Sequence, residues 1–103
     1  MREFDLFVPL FHNDGRPIKP ELFQQLQGRL LVEFDGVTFF PQPNKGFWKM
    51  GGVVFHDEIV VYRVLAEKRG RALRFLSRLK KWMERALEQE EILIIERKVG
   101  KVE

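Results

Sequence analysis

Phe4, Leu6, Val8 and Leu10 alternate with Glu3, Asp5, Phe7 and Pro9 at the start of the chain. That period of two predicts a strand with one strongly buried face. Asn13-Asp14-Gly15-Arg16-Pro17 ends it in a turn, where Gly15 takes positive φ and Asp14 bonds its own backbone. Pro20 suits a first helical turn because its missing N–H has no partner to lose, and Glu21 beside it favours the helix dipole. Leu22, Leu26, Leu30 and Phe34 then recur every four residues, widened by Phe23 and Leu31. The pattern is an amphipathic helix that stops near Asp35-Gly36.

From Val37 a short β-branched and aromatic stretch, Val-Thr-Phe-Phe, predicts an edge strand broken at Pro41-Gln42-Pro43-Asn44-Lys45-Gly46. An extra small hairpin is expected at Phe47-Trp48-Lys49-Met50, turning through Gly51-Gly52 into Val53-Val54-Phe55, because a glycine pair suits the primed turns. After His56-Asp57-Glu58, the apolar run from Ile59 to Ala66 reads as a central strand. A second helix over 68–88 carries Ala72, Leu76, Leu79, Met83 and Ala86 on its apolar face, with Leu73 and Leu87 alongside, and Ile92-Leu93-Ile94-Ile95 forms a last strand before a polar tail expected to fray.

The order β-α-β-β-α-β is the split βαβ pattern of ferredoxin-like α+β sandwiches, with an antiparallel sheet and both helices on one face. The whole chain, residues 1–103, reads as a single domain, with no linker or repeat. Phe7 is out of register with Phe4 and Leu6, Phe39 and Phe40 are adjacent, and the third strand is apolar on both sides. The sheet face away from the helices therefore needs its own cover, and a homodimer stacking sheet on sheet supplies it. Phe39, Phe47 and Trp48 are the residues expected at that contact or at a ligand beside it.

Composition narrows the chemistry. With 45% hydrophobic and 32% charged residues the chain can build a core unaided. It has no cysteine, which removes disulfides, thiolate nucleophiles and thiolate-bound metals. No apolar run is long enough for a bilayer and no secretory leader is visible, so a cytoplasmic protein with no membrane partner is expected. Thr38 and Ser77 are the only hydroxyl residues besides Tyr62, and neither a phosphate-binding glycine loop nor a dinucleotide fingerprint occurs. No catalytic residue and no cofactor is implied.

The net charge of +3 resides in the second half. The first 52 residues carry six basic and six acidic side chains, the remainder twelve and nine. From Lys68 to Met83 there is no acidic residue, and Arg71, Arg74, Arg78, Lys81 and Arg85 fall at helical spacing on one face. Such a stripe either follows a nucleic-acid backbone or is a solvated helix face. His56 and Glu58 lie on one side of an extended chain, where they would offer two ligands to a divalent metal, with Asp57 pointing away. His12 with Asp14 in the first turn joins them only if the fold brings the two loops together.

The Asn-Asp-Gly-x-Pro turn, the Pro-Glu-Leu helix start, Gly-Val-Thr, Gly-Phe-Trp, the doubled glycine, His-Asp-Glu and the closing basic helix resemble a loose group of small uncharacterised bacterial proteins. The resemblance implies a ferredoxin-like domain and no catalytic residues. Three functions remain open: a non-enzymatic oligomeric binding or scaffold domain, a nucleic-acid-associated protein using the basic stripe, and a small-molecule-binding or enzymatic dimer with His56, Glu58 and Trp48 at the rim of its pocket. The second includes a metal-dependent nuclease like the small ferredoxin-like dimers of bacterial defence systems. Those carry an aspartate at the end of the first strand, whereas here Asp14 is displaced into the turn.

Overall fold

The computed structural model describes all 103 residues. It contains β1 (Arg2–Pro9), α1 (Pro20–Glu33), β2 (Val37–Met50), β3 (Val53–Ala66), α2 (Arg69–Ala86) and β4 (Leu93–Lys98). The strands form one antiparallel sheet in the order β2-β3-β1-β4. This is the ferredoxin-like α+β arrangement, with the first and third strands central, as the hydrophobic pattern predicts.

The core lies between the sheet and both helices. Phe4, Leu6 and Val8 of β1 and Val60, Tyr62 and Val64 of β3 point to one side and meet Leu26 and Leu30 of α1 and Leu76, Leu79 and Met83 of α2. Alternate residues in a strand share a face, and residues four apart in a helix share a stripe, so the two periods in the sequence close on one core. Tyr62 lies at its centre, stacked on Phe39 of β2 at 4.6 Å, and burial pushes its phenol pKa up. Leu31 departs from the predicted stripe and is 52% exposed.

Three expectations are corrected. The small hairpin is not a separate unit. Its residues continue β2 and β3, which are joined at Gly51 and Gly52, both at positive φ as a primed turn requires. β2 is an edge strand but a long one, because only Pro41-Gln42-Pro43 of the expected break leaves the ladder, as a bulge between Phe40 and Asn44, and Asn44, Lys45 and Gly46 are paired with β3. An outer strand tolerates prolines there, since their missing N–H groups cost no ladder bonds. The third correction concerns the tail. β4 runs on to Lys98, paired with Arg2, and the Val99 N–H donates to the Met1 carbonyl at 3.0 Å.

β1 stops pairing with β3 at Pro9 and Ile59. Beyond that level residues 45–50 of β2 and 53–58 of β3 continue as a two-stranded arm. No helix is long and apolar enough to cross a membrane.

Candidate functional site

A cleft of about 850 Å³ opens where the arm leaves the sheet. One wall is the arm, with Phe47, Trp48, His56, Asp57 and Glu58; the others are the β1–α1 turn, with Phe11 and His12, and the α2–β4 connection, with Gln89, Glu90 and Glu91. The fold therefore does bring His12 and His56 to a common cleft.

The helix end that forms one wall is held by an unusual cap. The Gln89 N–H reaches back to the Glu84 carbonyl at 2.9 Å and the Glu88 N–H to that of Arg85 at 3.3 Å, which is a Schellman motif. Its left-handed position, normally glycine, is Glu88 at φ 54°. The strain of about 1–2 kcal/mol is offset in part by the Glu88 carboxylate, which accepts from Arg16 Nη2 at 2.9 Å. His12 Nδ1 donates to the Leu87 carbonyl at 2.9 Å and Gln89 Nε2 to the Phe11 carbonyl at 3.3 Å. A carbonyl only accepts, so this contact fixes the proton of a neutral His12 on Nδ1 and leaves Nε2 as the acceptor. Asp14 is engaged inside its turn: the Arg16 backbone N–H, and then its guanidinium, holds the carboxyl below its usual pKa.

On the arm, His56 and Glu58 share a side, as expected for an extended chain, with Phe47 opposite His56 and Lys45 opposite Glu58. The Phe47 ring meets the imidazole edge-on at 4.8 Å. Asp57 points to the other side and accepts from Trp48 Nε1 at 3.1 Å. No three of the His, Asp and Glu side chains are grouped to hold a metal ion. Around the cleft Asp57, Glu58, Glu90 and Glu91 outnumber the single cation Lys45.

The sheet face away from the helices is apolar in a defined place. The register sets Phe40, Val61, Phe7 and Leu93 side by side across β2, β3, β1 and β4, a belt spanning the whole sheet. The same side of the arm carries Trp48 and Phe55, 46% and 45% exposed, then Met50 and Val53. On the other flank of the belt lies an ion-pair cluster. Arg63 grips Asp5 with both prongs at 2.8 and 3.0 Å, and Arg97 reaches Asp5 at 2.9 Å and Glu3 at 3.3 Å. Asp5 is only 3% exposed. The Arg63 hydrogen bond above all, with that of Arg97, keeps its carboxyl ionised below the usual pKa of 3.8 against the opposing effect of burial.

All five residues of the basic stripe are exposed on α2. Arg71 is not a free cation, however, since its Nε donates to Glu33 of α1 at 2.8 Å. Arg74, Arg78, Lys81 and Arg85 have no carboxylate partner.

Sequence reasoning did not single out Asp5, Glu88 or Gln89. Asp5 sits in an alternation that marks it as outward, and only the pairing of β1 with both β3 and β4 reveals the two arginines that cover it. Glu88 occupies a glycine position, so the usual signal of a helix end is missing.

No family model and no curated protein matches the chain. Solved structures do resemble it. A divalent cation tolerance protein (CutA1) from Thermus thermophilus superposes with a TM-score of 0.70 at 14% identity, over 100% of this chain and 88% of that one. A point-mutant form of CutA1 from Pyrococcus horikoshii gives 0.67 and 14% over 100% and 87%. A phage SAM lyase in complex with S-methyl-5′-thioadenosine gives 0.67 and 12% over 93% and 79%. At such identities the likeness establishes the shared fold.

Proposed function

We propose that this chain is a self-associating, non-enzymatic binding domain of the cytoplasm, a single unit over residues 1–103. Copies pack through the open sheet face and the arm, and the cleft at the base of the arm takes a small ligand. The observation that carries this reading is the Phe40–Val61–Phe7–Leu93 belt with its continuation in Trp48 and Phe55. A two-stranded ribbon is marginal in water by itself, and this one exposes apolar side chains on both faces. A standard interface of about 800 Å² per partner, at about 25 cal/mol per Å² of apolar surface, would offset the cost of association. Sheet-on-sheet packing of two copies is the simplest closure.

The cleft supports the ligand half of the proposal. Its volume lies in the range of small-molecule sites, and its acidic and aromatic lining favours a cation with an apolar or planar part. Two of the structures that share the fold belong to divalent cation tolerance proteins, which accords with that charge preference. His56 and Glu58 supply two donors, so a metal held there would need further ligands from solvent or from a second copy.

Sedimentation equilibrium of the wild type against Phe40→Glu tests the assembly. The wild type is expected to sediment as an oligomer at micromolar concentration, and the variant as a monomer with an unchanged far-UV spectrum. A monomeric wild type sinks the proposal.

A further inference from the structure

The chain has ten arginines. Arg2, Arg16, Arg63, Arg69, Arg71 and Arg97 each hold a carboxylate, and Arg29 lies over the Trp82 ring at 4.2 Å. The three left over, Arg74, Arg78 and Arg85, are all on the outer face of α2, with Lys81 completing the row. Like charges three and four residues apart repel, so this row costs the helix stability unless something anionic covers it.

We propose that the outer face of α2 binds the phosphate backbone of double-stranded nucleic acid, contacting it through Arg74, Arg78, Lys81 and Arg85. The four cations run straight along about 16 Å of helix, an even spacing suited to an evenly charged polymer. Guanidinium groups hold phosphate oxygens in a bidentate fork. The same face displays no large exposed hydrophobic residue: none of α2 is among those of the molecule. A helix that inserts into a membrane surface needs such residues, and a single-strand groove needs aromatic platforms for the bases. A duplex, with its bases stacked inside, asks only for the cations. α2 covers the sheet face opposite the apolar belt, so the row stays open in the assembly proposed above and the inference does not depend on that assembly.

The test is fluorescence anisotropy of labelled duplexes and single strands of mixed sequence, with phosphatidylserine-rich vesicles as a separate arm, starting at about 50 mM salt. Wild type is compared with Arg74→Gln/Arg78→Gln/Lys81→Gln/Arg85→Gln and with a control of equal charge change, Lys19→Gln/Lys49→Gln/Lys98→Gln/Lys101→Gln. Far-UV spectra and thermal midpoints verify that each variant folds. Wild-type affinity should fall with a log–log salt slope of about −3.6 for four phosphate contacts. The stripe variant should lose about tenfold or more at low salt while the control stays within about threefold. No duplex binding by the wild type, equal losses in the two variants, or preference for single strands or vesicles would overturn the proposal.

Discussion

Trp48 donates its indole N–H to the Asp57 carboxylate at 3.1 Å, a diagonal pair across the arm on the side that continues the apolar belt. Gly46 stands opposite Asp57 and carries no side chain to crowd the indole. The bond satisfies the polar end of the ring while its apolar body stays half exposed, the arrangement of an aromatic anchor awaiting a partner surface.

If Trp48 is such an anchor, Trp48→Ala should weaken self-association by about thirtyfold, equivalent to about 2 kcal/mol. Trp48→Phe keeps most of the apolar area and should retain most of the affinity. A dilution series in the ultracentrifuge reads both, and an assembly indifferent to Trp48→Ala would remove the residue from the contact.

Asp5 makes the fold acid-sensitive in a predictable direction. Its folded pKa is below its unfolded one, so the stabilisation is complete above about pH 5 and disappears as pH falls through the folded value. Asp5→Asn should cost about 1.5–3 kcal/mol at neutral pH and flatten the acid limb of the stability profile. Urea denaturation from pH 7 downward shows whether the two curves converge in acid, as they should.

The arm's turn depends on glycine geometry. Gly52 sits at φ 81°, and Gly52→Ala should cost about 1–2 kcal/mol although the added methyl meets no neighbour. Gly100→Ala, with open space and no positive φ, should be neutral. Thermal melts of the two variants that coincide would contradict the strain argument.

Burial separates two leucines that look alike on paper. Leu76→Ala opens a cavity between helix and sheet and should cost about 2–5 kcal/mol, whereas Leu31→Ala, at a half-exposed position, should cost well under about 1 kcal/mol. Guanidinium unfolding of both measures the difference.

The fold was legible because its signals are local and periodic: Leu22, Leu26 and Leu30 announce one helix, and Phe4, Leu6 and Val8 one strand face. The extent of β2 was not, because two prolines normally end a strand and only pairing with β3 carries it past them. The cleft was half legible. His56, Glu58 and Trp48 stood out by residue type, but His12 and Gln89 reach it through contacts across more than 70 positions of sequence. The basic stripe could be read from spacing, and its division into one engaged and four unengaged cations could not, since Glu33 belongs to the other helix.

The unbroken alternation of β3 from Val53 to Ala66 governs which side of the arm faces where, and the bulge lets β2 follow it. Between Phe40 and Asn44 it holds Pro41, Gln42 and Pro43 against the single Val60 between their partners, a surplus of two residues. Because strand side chains alternate with a period of two, Val61 and Phe55 of β3 share a side, and their partners Phe40 and Trp48 share it with them. Losing one residue here would leave the arm as it is, because Trp48 pairs with Phe55, whose side β3 fixes, and two residues against one is an ordinary bulge. The connection can thus lengthen or shorten at the bulge without changing what the molecule shows to its surroundings.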